Sequence, residues 1–70
     1  MKYAVVIERT GTGFSAYVPD LPGCVGTGAT VEQLEEDMRA AIEFHLDGMK
    51  EDGTPVPAPS ASVEYLEVAA

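Results

Sequence analysis

Apolar and polar residues alternate through the first third of the chain and recur at steps of three and four through its middle, so the pattern passes from sheet to helix. From Lys2 to Arg9, Tyr3, Val5 and Ile7 fall on one face and Ala4, Val6 and Glu8 on the other. β-Branched and aromatic residues at period two predict a strand. Its middle is apolar on both faces, the pattern of a central strand. Thr10-Gly11-Thr12-Gly13 interrupts the alternation with glycines suited to a hairpin turn. Phe14, Ala16 and Val18 then alternate with Ser15 and Tyr17, which predicts a second strand antiparallel to the first. Pro19-Asp20-Leu21-Pro22-Gly23 must turn, because each proline lacks a backbone donor and fixes φ while Gly23 reaches conformations other residues avoid. Cys24 to Gly28 regains strand character and predicts a third antiparallel strand running into Ala29-Thr30.

A helix is expected to start at Val31, behind Thr30-x-x-Gln33, which has the spacing of a capping box. Val31, Leu34, Met38, Ala41, Ile42, His45 and Met49 form one apolar stripe, while Glu32, Glu35, Glu36, Asp37, Glu43 and Asp47 occupy the other faces. Early carboxylates suit the positive end of the helix dipole and Lys50 suits the negative end. Gly53 followed by Pro55 stops the helix. Thr54 to Ser60 is too rich in proline for helix or central strand and reads as an extended connector. Val63, Tyr65, Leu66 and Val68 then predict a fourth strand over Ser62 to Val68. A right-handed strand-helix-strand return puts it beside the first strand, giving a single α+β domain, βββαβ, with sheet order 3-2-1-4.

Charge narrows the partners. Twelve acidic and 4 basic side chains give a net charge of −8 in a chain of 70 residues. Such a field repels phosphate backbones, so direct nucleic-acid binding is not expected, and it attracts basic proteins. Acidity that only keeps a small protein in solution is the plain alternative. A core this small supplies only ~3–5 kcal/mol, so stability is expected to come partly from a partner or a second copy, as dimer or tetramer. The single cysteine, Cys24, allows no internal disulfide and no zinc set. No apolar run approaches the ~20 residues that span a bilayer, and Met1-Lys2 leads straight into a strand pattern. A cytoplasmic protein without a membrane partner is expected.

Phe14-Ser-Ala-Tyr-Val-Pro-Asp-Leu-Pro-Gly-Cys24, then Gly26-Thr-Gly-Ala-Thr30, the acidic helix and Glu51-Asp-Gly-Thr-Pro-Val-Pro57, resemble the HicB-like antitoxin family over nearly the whole chain. The most specific part is Pro-Asp-Leu-Pro-Gly-Cys ahead of a Thr-capped helix. The resemblance implies a truncated ribonuclease-H-like βββαβ fold and a protein that binds and silences a small basic RNA-cleaving toxin, HicA-like, in a two-gene toxin–antitoxin setting. Many relatives continue into a helix-turn-helix or ribbon-helix-helix segment that binds operator DNA. No basic helix follows the fourth-strand segment here, so one domain over 1–70 without a DNA-binding domain is expected.

The chemistry of the side chains favours binding over catalysis. Ribonuclease-H catalysis needs carboxylates converging on paired divalent ions. The first strand carries Ala4-Val5-Val6 at its centre, leaving Glu8 near its end with Glu32, Glu35, Glu36 and Glu64 elsewhere. A minimal metal-dependent nuclease is therefore the lesser reading, and no cofactor or metal is expected. His45 lies on the apolar stripe without a matched nucleophile, and Cys24 has no neighbouring base, so both read as packing residues. Glu35, Glu36, Glu43 and Asp47 are the candidate contacts to a basic partner. Leu66 and Val68, on an outer strand, are the candidates for self-association. Pro19, Asp20, Pro22 and Gly23 form the structural loop, with the Asp20 carboxylate expected to accept backbone amides. A third reading is a purely structural oligomerisation or adaptor module.

Overall fold

The computed structural model describes residues 1–70. Three strands precede one long helix: β1 (Val6–Arg9), β2 (Phe14–Tyr17), β3 (Val25–Gly28) and α1 (Val31–Glu51). Both strand pairs are antiparallel and the sheet order is β1-β2-β3. β2 is thus the central strand, and β1, expected at the centre, is an edge.

The expected first strand from Lys2 becomes regular only at Val6, and the proline loop explains why. Val6 pairs with Tyr17, so pairing further upstream would need Val18 and Pro19. Val18 instead donates its N–H to the Cys24 carbonyl at 3.2 Å, and Pro19 has no N–H to give. At the other end of the hairpin, Thr10 donates to the Gly13 carbonyl at 2.8 Å and its Oγ1 accepts from the Gly13 N–H at 3.0 Å. The Arg9 guanidinium stands 5.9 Å over the ring of its cross-strand neighbour Phe14.

Both ends of α1 are capped as the sequence indicates, with one change. Thr30 accepts from the Gln33 N–H at 3.1 Å, but the Gln33 side chain turns along the helix to donate to Asp37 at 3.2 Å, so the reciprocal half of the capping box is replaced by an i,i+4 bond. At the far end Gly53 takes φ 71°, its N–H reaches the Lys50 carbonyl, and the Thr54 N–H reaches Met49 at 2.9 Å. Those two bonds make a Schellman motif and satisfy carbonyls the helix leaves unpaired.

Six residues are buried: Ala16 and Val18 from the central strand segment, Leu21 and Cys24 from the loop, and Leu34 and Met38 from the helix. The row Ile7, Ala16, Gly26 faces α1. The helix can lie close over β3 because glycine stands there. A Cβ on Gly26 would sit 2.8 Å from the Met38 sulfur, and one on Gly28 would sit 3.2 Å from the Leu34 Cβ. The opposite face of the sheet has no covering layer, leaving Tyr17 and Val25 exposed.

The fourth strand expected over Ser62–Val68 is not formed within the single chain. From Thr54 onward the chain has no regular structure, and Ser62 to Ala70 make no internal hydrogen bond. An extended segment without a neighbour leaves its backbone groups to water and gains nothing against the entropy of ordering. The place beside β1 in the expected order is therefore unfilled by this chain's own tail. The observed class is α+β, a three-stranded antiparallel sheet under one helix.

Candidate interaction surfaces

The loop after β2 is built to hold two things at once. Leu21 and Cys24 turn inward, and N–H bonds from Leu21 to Val18 and from Cys24 to Leu21, both 3.1 Å, close the turn. Pro19 and Pro22 stay exposed and Gly23 takes φ 85°. Asp20 was expected to accept amides of its own turn. Its carboxylate instead accepts from the Ser60 N–H at 3.1 Å, the Ser60 hydroxyl at 2.8 Å and the Ala61 N–H at 3.2 Å. The Ala61 amide first, then the Ser60 hydroxyl and amide, hold the Asp20 carboxyl below its ordinary pKa. The Tyr3 hydroxyl donates to the Pro57 carbonyl on the same side. The proline connector is thus tied back across the sheet end by two side chains.

The four carboxylates proposed for a basic partner do not form one patch. Glu35 and Glu43 stand with Arg39 at the mouth of a groove between α1 and the N-terminal segment that runs into β1. Glu36 and Asp47, eleven residues apart and so nearly aligned along the helix, are exposed on the side away from the sheet. Between them in sequence is a residue the apolar stripe did not include. Phe44 is 82% exposed. Its helical neighbours at three and four residues are Ala40, Ala41, Asp47 and Gly48, so a large ring rises from small and acidic surroundings. An aromatic off the stripe between Ala and Gly at i±4 is the sequence signal that points to it.

Leu66 and Val68 are 82% and 81% exposed on the tail. The nuclease carboxylates stay apart: Glu8 begins the exposed half of β1, Glu64 is on the tail, and no three His, Cys, Asp or Glu side chains are placed to hold a metal ion. His45 is half-buried on the inner side of α1. Cys24 is buried, and desolvation pushes its thiol pKa up, away from the reactive thiolate. No helix is long and apolar enough to cross a membrane.

Comparison with known proteins bears on the family and the fold. Residues 3–69 match the family described as HicB_like antitoxin of bacterial toxin-antitoxin system. An uncharacterised 14.9 kDa protein of Haemophilus phage HP1 is 35% identical over 66 residues, 94% of this chain and 50% of that protein. This chain therefore spans half the length of that phage relative. A UPF0150 protein of Archaeoglobus fulgidus is 41% identical over 76% of this chain and 81% of its own length. Among solved structures, a chain of the HicA3 and HicB3 toxin-antitoxin complex superposes with a TM-score of 0.73 at 30% identity, over 86% of this chain and 70% of that one. The sheet, the Pro-Asp-Leu-Pro-Gly-Cys loop and the capped acidic helix lie within the matched residues, and the chain belongs to the HicB-like antitoxin family.

Proposed function

We propose that this chain binds and neutralises a small basic mRNA-cleaving toxin of the HicA-like kind, within a type II toxin–antitoxin system. The observation that carries the reading is the outer side of α1, where Phe44 stands exposed one turn from Asp47, with Glu36 about two turns earlier, on a domain of net charge −8. Carboxylates raise the encounter rate with a basic protein and set orientation, and a desolvated aromatic supplies retention. Glu35 and Glu43, at the groove mouth, are a second acidic approach. Covering a ribonuclease needs no chemistry from this chain, which suits surfaces without a built catalytic cluster. The fold that accompanies this reading is a truncated ribonuclease-H-like sheet, here three strands under one helix. The chain acts in the cytoplasm by protein contact, without touching nucleic acid itself.

The test is a low-salt pull-down followed by RNA cleavage with the recovered basic ribonuclease. Cleavage should stop at stoichiometric addition, and the charge-reversed double variant Glu36→Lys/Asp47→Lys should need at least ~10-fold more protein. Higher salt should weaken the complex through the charge component, with Phe44→Ala removing the part that survives. Undiminished cleavage in excess antitoxin would sink the proposal. The exposed apolar tail favours a second reading, a self-assembling structural module, which predicts stable oligomers and no ribonuclease in the pull-down.

A further inference from the structure

The groove beside β1 is apolar on both walls and charged along one rim. Tyr3, Val5 and Ile7 form one wall and Met38, Ile42 and Leu46 the other, around a volume of about 620 Å³. Met38 is enclosed, while the other five are half-buried and still have apolar surface to cover. Glu35, Arg39 and Glu43 follow one another along α1 at steps of four and stand at the mouth. We propose that this groove receives an extended apolar stretch of a basic protein, flanked by two lysines or arginines that meet Glu35 and Glu43. The proposal rests on the basic-partner reading above and adds where, and by what kind of segment, that partner is held.

Charge selects this occupant. The rim holds two carboxylates against one guanidinium, and Arg39 has a carboxylate four residues away on each side, so the mouth is net negative. An anionic group is turned away there, and a cation at either end of the groove is attracted. The chain's own tail has no cation to offer: the basic residues are Lys2, Arg9, Arg39 and Lys50, and every charged side chain after Lys50 is a carboxylate. A second copy brings a further charge of −8. Asp47 lies one turn beyond Glu43, so a basic partner seated on the outer side of α1 reaches the groove mouth within that turn.

Geometry sets the form and length of the segment. β1 pairs only with β2, so its outer edge offers backbone groups to an extended chain. Glu35 and Glu43 are separated by about 12 Å along the helix axis, which an extended chain covers in about four residues at ~3.3 Å each. Two cations that far apart in a strand point to the same side, and the residue midway between them points there too. That middle residue is the apolar anchor, set between the walls while its neighbours on either side face away. The walls are in place beforehand, with Met38 enclosed and the Tyr3 hydroxyl fixed on the Pro57 carbonyl, so docking orders little of this chain.

The experiment titrates a blocked peptide, Val-Lys-Thr-Ile-Thr-Lys-Val, into the full chain labelled with ¹³C at its methyl groups. The Ile7, Ile42 and Leu46 methyls should shift together. Replacing both peptide lysines by glutamate, or its isoleucine by serine, should weaken binding at least ~10-fold. Glu35→Gln/Glu43→Gln should weaken it about 2- to 10-fold, whereas Glu64→Gln/Glu67→Gln, the same change of net charge on the tail, should leave it nearly as it was. Groove methyls that stay still at millimolar peptide, equal binding of the glutamate peptide, equal losses from the rim and tail variants, or methyls that shift with protein concentration alone and resist the peptide would each overturn the proposal. The labelled chain mixed with the recovered ribonuclease separates this proposal from the antitoxin reading. Silenced cleavage with unmoved groove methyls removes the groove and spares that reading, and a docked peptide with undiminished cleavage does the reverse.

Discussion

The two sides of the β2 strand are finished to different degrees. Toward β3, α1 rests on glycines, Leu34 and Met38 are fully enclosed, and every turn closes on a hydrogen bond. Toward β1, the helix stands off, the edge is unpaired, and large side chains of the tail remain in water. The first half is the packed core, and the second leaves a strand edge and apolar side chains in water. In a domain with six buried residues the distinction matters, since burial of a side chain such as Leu34 is worth ~1.5–3 kcal/mol out of a small total.

The sharpest way to break the contrast is to truncate one side chain on each side. Leu34→Ala removes a fully buried group and should cost about 2–5 kcal/mol, lowering Tm by ten degrees or more in a domain this size. Leu66→Ala, measured at concentrations dilute enough for monomer, should stay within about 0.5 kcal/mol. Equal losses from the two variants in thermal denaturation would mean that the tail belongs to the core.

Next comes the contact between helix and sheet. A methyl at Gly28 meets Leu34 Cβ, Cα and N at 3.2–3.4 Å, and backbone cannot yield as a flexible side chain can. Gly28→Ala should therefore destabilise by about 1–3 kcal/mol. Gly11→Ala, with nothing within 4 Å, is the control and should move the urea midpoint little. Thr30→Ala, which removes the acceptor for the Gln33 amide, should cost about 1 kcal/mol. Its effect should show as fraying of the first helical turn in hydrogen exchange, not as loss of the fold.

How much of this was legible follows the same division. Period-two alternation and the three-and-four stripe placed β1, β2, β3 and α1, because those patterns reflect burial by neighbours close in sequence. Thr30 and Gly53 marked both helix ends for equally local reasons. The fourth strand illustrates the limit. Val63, Tyr65, Leu66 and Val68 encode willingness to be a strand, but the strand exists only where an edge receives it, and periodicity does not say whose edge that is. Asp20 shows the same limit at one side chain: its position between prolines announced a structural carboxylate, while its donors, Ser60 and Ala61, lie 40 and 41 residues away. Likewise, the split of Glu35 and Glu43 from Glu36 and Asp47 depends on where the groove opens, which follows from packing.

The smallest expected effect is also the one that probes the seam between the two halves. Asp20 is the carboxylate on which the tail is pinned, and its pKa is lowered because the charged form accepts the Ala61 and Ser60 bonds. A carboxyl whose folded pKa lies below its unfolded value contributes fully above the unfolded value, about 3.9. The contribution is lost as pH falls through the lowered, folded value. Acid should therefore release residues 60–61 before it unfolds the Leu34 core, which buries no ionised group. Heteronuclear NOE values at Ser60 and Ala61 should fall with pH in the wild type. Asp20→Ala should show the low values already at neutral pH, with Tm almost unchanged. If these residues stay ordered in Asp20→Ala, the connector is held by its prolines and the Tyr3 bond alone. The tail would then be positioned by stiffness instead of by charge, and its acid response should vanish.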